Sequence, residues 1–370
     1  MPTAYTLRVY DEAGALQAIV TDFLTLQYRR AVNEPGMLTF SLTDAHELVG
    51  AMSRDWQVEV WRSRTADPDE DNAITAYRDF DGLVRVEERR ADSNGQTLVA
   101  WTAPGAVDIL RRPIVAYPAD TANRSAFTAT PAETIAKTLV TYNATTSGTT
   151  GDGRDRSVPT VGTYVTVETD GANGPDLDVF CARRNLLDVL QEIAAVGDGD
   201  FDLVKTAARS WQFRWYNGQL GTDRSASVVF ALQYGNMSSP VLRRDWLAEA
   251  TVAIVAGQGT NEDRVVSVRT GTNYDASVGN TEILVDARDV STADGLAGRG
   301  DARLEILRAK DNLQFDVIQT PGSLYGRDYF LGDLVTGYYQ GITATKQIRA
   351  VTVTLSNTGD ESIAVELTDA

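Results

Sequence analysis

Cysteine and histidine are almost missing from this chain. Cys181 is the only cysteine, which excludes an intramolecular disulfide and leaves its thiol as a small buried hydrophobe. His46 is the only histidine, so a zinc site of His and Cys ligands and Cys/His catalysis are excluded. A Ser/His/Asp triad would have to be built on His46, and no Gly-x-Ser-x-Gly elbow accompanies it. Gly-rich phosphate loops of the Gly-x-Gly-x-x-Gly or Gly-x-x-x-x-Gly-Lys-Ser/Thr type are absent. No apolar run approaches the ~20 residues that span a bilayer. The start, Met1-Pro2-Thr3-Ala4-Tyr5, lacks the basic and then apolar layout of a signal peptide, so assembly in a cytoplasm without a membrane anchor is expected. Basic residues are in deficit too: 34 Lys and Arg against 51 Asp and Glu give a net charge of −17. That charge keeps a surface soluble and repels polyanions, so sequence-specific nucleic-acid binding is not expected. With 51 acids to choose from, no particular pair is marked out for glycoside cleavage, and no enzyme or cofactor is expected.

What is present is enough apolar material for two or three domains, since 370 residues at 43% apolar with six Trp and fourteen Tyr can fill separate cores. Leu7 to Tyr10, Phe23 to Arg30, Met37 to Leu42, Trp56 to Arg62, Gly82 to Glu88 and Thr97 to Trp101 read as strands, and Ala103 to Leu110 as a short closing helix. Gln57, Glu59 and Arg62 interrupt the apolar Val58, Val60 and Trp61, which predicts one wet sheet face. Thr130-Pro131-Ala132-Glu133 reads as a capping box opening a helix. Asn185 caps a second helix that Gly197 ends. Phe201 to Lys205 and Trp211 to Tyr216 make a hairpin. Beyond Leu242 the pattern is β to Asp286, then a helix over about Asp294 to Leu307, then strands to Ala370. The parse is a β domain over residues 1–112, a middle α+β region over 113–241 with an exposed loop at 143–175, and a second β domain over 242–370.

Two turns stand out. Asn33-Glu34-Pro35-Gly36 joins two strands, and Tyr329-Phe330-Leu331-Gly332-Asp333 leads into another. Pro35, Gly36, Tyr329, Gly332 and Asp333 are read as structural turn residues, with Gly supplying unusual backbone angles and Asp bonding nearby amides. Near the end, Val351, Val353 and Leu355 share a face with Ile363, Val365 and Leu367 across a turn at Asn357-Thr358-Gly359-Asp360. Trp211, Phe213 and Trp215 share one strand face, a core pattern with a surface platform for sugar or peptide as the alternative. The runs Asp67, Asp69, Asp71 and Asp198, Asp200, Asp202 have calcium-loop spacing but lack the Gly and distant Glu of that loop, so they read as solvated acid with no metal. Arg299-Gly300-Asp301 falls in a predicted helix and reads as a chance match to an adhesion tripeptide.

Taken in order, these pieces resemble the tail-hub proteins of long-tailed bacteriophages. The resemblance is carried by Leu7-Arg8-Val9-Tyr10-Asp11, Tyr28-Arg29-Arg30 with Asn33-Glu34-Pro35-Gly36, and Asp81-Gly82-Leu83-Val84. It continues through Pro131-Ala132-Glu133-Thr134-Ile135, Asn185 to Leu190, Tyr234-Gly235-Asn236-Met237 and Tyr325 through Val335. It implies a mainly β protein in which two tube-like β-barrel or sandwich domains flank a helix-containing middle region. It also implies a structural role in the virion. Three protomers would form a ring of pseudo-sixfold symmetry at the tail tip, joining a sixfold tail to a threefold tip around the path of the ejected genome. The implied partners are a distal tail or tail-tube protein, a tape-measure protein and a tip fibre or spike. A receptor- or carbohydrate-binding tip protein and a cell-wall glycosidase are the rival readings. Many members of that family continue into an enzymatic or fibre region, and none is expected here.

Overall fold

The computed structural model describes residues 3–65, 73–91, 95, 97–116, 124–146, 164–181, 183–260, 263–275, 279–288, 292–308, 310–355 and 360–369. The run Asp67, Asp69, Asp71, most of the 143–175 loop, and Asn357, Thr358 and Gly359 of the last turn lie outside the described residues. The chain opens with β1 (Ala4–Tyr10), β2 (Leu16–Val20), β3 (Thr25–Ala31), β4 (Glu34–Thr43), β5 (Gln57–Arg64), β6 (Ile74–Leu83), β7 (Val86–Ala91) and β8 (Thr97–Pro104). A 3-10 turn (Ala106–Arg111) follows, then β9 (Ser125–Pro131), α1 (Ala132–Ala144), β10 (Val165–Val167), β11 (Asp176–Cys181), α2 (Leu186–Val196), β12 (Gly199–Ala207) and β13 (Ser210–Asn217). The remainder is β14 (Val229–Ala231), β15 (Met237–Asp245), β16 (Val252–Ala256), β17 (Val266–Thr270), β18 (Glu282–Asp286), α3 (Ala293–Ile306), β19 (Lys310–Val317), β20 (Leu334–Tyr339), β21 (Ile342–Leu355) and β22 (Glu361–Asp369). The protein is mostly β with several sheets, and no closed barrel forms among the described residues. Among them no helix is long and apolar enough to cross a membrane.

The chain divides into two compact units, Met1–Ser238 with Asp316–Ala370, and Ser239–Phe315. This differs from the three-part parse at 112 and 241. The physical reason is strand pairing: β21 pairs antiparallel with β3, with Val353 opposite Tyr28 and Leu355 opposite Leu26. The last strands therefore complete the sheet begun by the first ones. That sheet runs on through β4, β8 and β7, while β20 and β14 extend from the first half of β21. Its inner face carries Tyr28, Leu38, Phe40, Val99, Trp101, Val351 and Val353, all without exposure. A second sheet, β2-β1-β5-β6, supplies Leu7, Val9, Val58 and Val60. Phe80 of β6 meets Tyr28 of β3 with ring centroids 5.9 Å apart, so the two sheets share one core. Phe40 and Trp101 stack at 5.4 Å across neighbouring strands, an aromatic pair of the kind that adds about 0.5–1.5 kcal/mol beyond burial.

The middle region packs α1 and α2 on the sheet β10-β13-β12. Ile135, Leu139 and Val140 of α1 and Leu186, Leu190 and Ile193 of α2 enclose Phe201, Leu203, Trp211 and Phe213. The apolar stripes read from helical spacing thus become one core. The capping box, however, does not form. Pro131 is the N-cap of α1 with no side-chain cap, and Thr130 donates its hydroxyl to Thr128 O instead. Glu133 is drawn to Lys137 Nζ at 2.5 Å and to Asn173 N at 2.9 Å. Asn185 does cap α2, its Oδ1 accepting from Leu187 N at 3.0 Å. Asn143, assigned to the exposed loop, is instead buried in the last turn of α1, where it donates to Leu139 O. At the far side of that loop, β10 pairs parallel with β13.

In the second unit, β16 lies between β17, antiparallel, and β18, parallel. Leu296 and Leu304 of α3 pack on Ala253 and Val255 of β16. Gly300 sits where α3 approaches this sheet, since a Cβ there would come within 2.7 Å of Val255 Cγ2. Asp301 beside it forms a two-point ion pair with Arg269 at 2.7 and 2.8 Å. Arg299-Gly300-Asp301 is therefore part of a helix-on-sheet contact.

Candidate functional site

The first unit concentrates charge where a β sandwich ordinarily holds only apolar side chains. Gln57, Glu59 and Arg62 of β5, expected on a wet face, are all buried. Burial is tolerable for Glu59 and Arg62 because both find partners, whereas Gln57 is half satisfied: its Oε1 accepts from Arg209 N and its Nε2 has no partner among the described residues. Glu59 accepts from Trp61 Nε1 at 2.7 Å and forms an ion pair with Lys205. Burial works to raise the Glu59 pKa, but these donors hold it below the ordinary glutamate range. Arg62 donates through Nε to Tyr5 Oη at 2.8 Å, through one terminal nitrogen to Glu361 Oε1 at 2.8 Å, and through the other to Tyr325 O at 2.5 Å. Tyr5 itself donates to Glu361. Arg62 thus joins β1, β5, the 325 turn and β22.

Asp79 is a second hub. It accepts from Tyr28 Oη at 2.5 Å, Tyr325 Oη at 2.7 Å and Arg30 at 3.0 Å, so β3, β6 and the 325 turn converge on one carboxylate. Burial, and then the adjacent Asp79 charge, push the Tyr28 and Tyr325 hydroxyls well above the ordinary tyrosine range, which keeps them protonated as donors.

The turn residues singled out from sequence sit in a third cluster. Gly332 has φ +88°, in the left-handed region that favours glycine. Buried Asp333 accepts from Thr222 N at 2.7 Å, Arg224 Nε at 2.7 Å and Phe330 N at 2.9 Å. Tyr329 is buried, meets Phe230 edge-on at 5.6 Å and accepts at Oη from Gln319 Nε2 at 2.6 Å. In the other turn Gly36 has φ +63°, and Pro35 O packs so closely on Gly105 that a Cβ there would lie 2.0 Å away. Asn33 of this turn reaches the middle region, donating to Asp200 Oδ1 at 2.8 Å and accepting from Phe201 N at 2.7 Å. Asp200 also accepts from Leu220 N and Gln347 Nε2, both at 2.9 Å. The Asp198, Asp200, Asp202 run is therefore split between roles and does not converge as a calcium loop would. Trp211, Phe213 and Trp215 lie in the core, which removes the surface-platform reading of these rings. His46 accepts from Leu48 N at Nδ1 and lies 3.6 Å from Asp22.

A polar cleft of about 190 Å³ opens among these clusters, lined by Arg30, Arg78, Asp79, Asp81, Asp202 and Lys205. Burial raises the Asp81 pKa, partly offset by Arg78 and the Trp211 indole N–H. Asp202 is likewise raised by burial, with Arg30 opposing and the neighbouring Asp81 charge adding to it. None of the described residues lining the cleft is Ser, Thr, Cys or His, and Lys205 is tied to Glu59. The lining groups with acid–base capacity are therefore carboxylates, of which Asp79 is tied to Tyr28, Tyr325 and Arg30. Sequence reasoning missed Asp79 and Glu361 and placed Arg62 on a solvent-facing surface. The available signal was the placing of Gln57, Glu59 and Arg62 inside a strand whose other residues are core-like.

Comparison with known proteins gives a family and a fold. Residues 6–368 match the model of the Siphovirus ReqiPepy6 Gp37-like protein family, so the chain belongs to that family. The fold is similar to the 43 kDa tail protein of prophage MuSo2 from Shewanella oneidensis, with a TM-score of 0.57 and 12% identity over 99% of this chain and 98% of that one. It is similar to the tail protein from Neisseria meningitidis MC58 (TM-score 0.54, 11% identity, 99% and 96% covered). Prophage tail protein gp18 from Listeria monocytogenes EGD-e is a third such structure (TM-score 0.54, 14% identity, 98% and 94% covered). No curated protein matches the sequence.

Proposed function

We propose that this protein is the hub of a phage tail tip. Three copies form a ring that joins a sixfold tail to a threefold tip and encloses part of the path taken by the ejected genome. The observation that carries this reading is the near end-to-end fold similarity to phage tail proteins, combined with a chain whose first and last strands share one sheet. A continuous sheet of that kind is suited to a wall, and the buried Arg62 and Asp79 hubs make the wall stiff. A net charge of −17 suits a lumen through which a polyanion must slide without being gripped. Its neighbours in this reading are a distal tail or tube protein, a tape-measure protein and a tip fibre or spike, assembled in the bacterial cytoplasm. In this reading it does not act as an enzyme: its role is assembly, and the central cleft carboxylate, Asp79, is spent in holding Tyr28, Tyr325 and Arg30. Antibody against this chain should label intact particles at the tail end far from the capsid. Label on the capsid or along the tail shaft would contradict the proposal. Zymography on host cell walls should show no clearing, and a clearing lost on replacing a single acid would restore the glycosidase reading.

A further inference from the structure

Among the described residues the large sheet of the first unit ends in β14, β22 and β7, and the open edges of β22 and β7 match each other. Along β21, residues 346–355 pair with β22, residues 342–347 with β20 and residues 350–355 with β3. A strand has only two edges, so β20 and β3 share one and β22 holds the other. The continuous run is therefore β22-β21-β3-β4-β8-β7, six strands, each antiparallel to the next. An even count makes the outermost strands, β22 and β7, run in opposite directions. Rotation of one copy about an axis roughly along the strands then brings its β7 antiparallel to the β22 of the next copy, continuing the same pattern.

The chemistry of β22 fits an edge that is covered on assembly. Exposed edges of soluble proteins are ordinarily blunted by Lys, Pro or bulges. β22 (ESIAVELTD) contains no Lys, Arg or Pro, and at nine residues it is long for a free edge. Its inner row, Ile363 and Val365, sits opposite fully buried Val353 and Val351 yet remains half-exposed, as an apolar face left short of one neighbour. Charge neither drives nor opposes the pairing: Glu361, Glu366 and Asp369 of β22 are ion-paired within the chain to Arg62, Arg29 and Lys346, and in β7 Glu87 and Glu88 pair with Arg89 and Arg90, which leaves that strand neutral beside its exposed Val86. Every residue of β7 is exposed, and among the described residues it pairs only with β8.

We infer that copies of this chain join by antiparallel pairing of β7 (Val86–Ala91) of one copy with β22 (Glu361–Asp369) of the next, so that the six-stranded runs close into a continuous ring wall. This inference rests on the ring reading above and specifies its seam. The test is cross-linking in assembled tails that carry Glu88→Cys and Ala364→Cys, both exposed and near the centres of their strands. Cys181 is buried and does not compete. A short bismaleimide, whose span tolerates a shift of one register, should convert the chain into a covalent trimer on denaturing gels, while either single variant should stay monomeric. Tails with three copies of the chain but no cross-linked product would overturn the β7–β22 seam and leave the ring standing. Tails with one copy would overturn the ring itself. Amide exchange gives a check that needs no variant: β7 amides facing the open edge should exchange freely in isolated protein and become protected in tails. Equal exchange in both states would also overturn the seam.

Discussion

Replacing Arg62 with Met tests whether the buried charge network holds the first unit together. Arg62 is 2% exposed and carries donor bonds to Tyr5, Glu361 and the Tyr325 carbonyl. Met matches much of the side-chain volume, so packing changes little, and the loss is electrostatic. The Tyr325 carbonyl loses its buried donor, which costs about 1–3 kcal/mol. Glu361 loses its cation, but it keeps hydrogen bonds from Thr3 and Tyr5, and its side chain is 19% exposed, so water shares its charge. The total should therefore fall near the lower end of the ~3–5 kcal/mol typical when one partner of a buried pair is removed. Urea unfolding followed by Trp fluorescence should show the first-unit transition moved to lower denaturant with an unchanged slope. Arg62→Met combined with Glu361→Gln should be less harmful than the sum of the two single changes, because no orphaned charge is left. A loss below about 1 kcal/mol, or strict additivity, would refute the idea that this pair links β22 to β5.

Gly332→Val should destabilise the protein by about 1–3 kcal/mol through its φ of +88° alone, with more from a Cβ placed 2.7 Å from Gly221 N and 2.8 Å from Leu220 Cβ. An unchanged melting temperature would count against a required left-handed turn. Asp202→Asn should stabilise the protein at neutral pH. The folded state holds the Asp202 proton more tightly than the unfolded chain, whose carboxyl titrates near 3.8, so wild-type stability falls as pH rises from there through the raised folded value. The Asn variant lacks that loss, so its melting-temperature advantage should grow from pH 3 to pH 7. An advantage independent of pH would show that charge is not the cause.

Much of the architecture was legible in the sequence, for reasons that can be traced to residues. The apolar stripes of α1 and α2, the Asn185 cap and the hairpin of Trp211, Phe213 and Trp215 follow from local periodicity, which local chemistry enforces. The joining of β21 to β3 was not legible, because those strands lie more than three hundred residues apart and alternation says which face is apolar but not which strand lies alongside. The wet-face reading of β5 failed for a related reason. Glu59 and Arg62 look solvent-facing until Lys205 and Glu361 arrive from distant segments to pair with them, and Gln57 until the Arg209 amide reaches its Oε1. The capping box at Thr130 failed because the helix starts one residue later, with Pro131 as its N-cap, and Asn173 and Lys137 hold Glu133 in place of the Thr130 amide. Of the candidate site, the turn residues were visible as Gly and Asp beside strands, whereas the Asp79 hub depends wholly on tertiary convergence.

The central claim, a three-copy hub at the tail tip, is tested most directly by electron microscopy of the intact particle with this chain fitted into the density. Three copies should encircle the tail axis at the end distal to the capsid, with an acidic or neutral inner wall. Six copies or a single copy at that position, or a channel wall dominated by Lys and Arg, would contradict it.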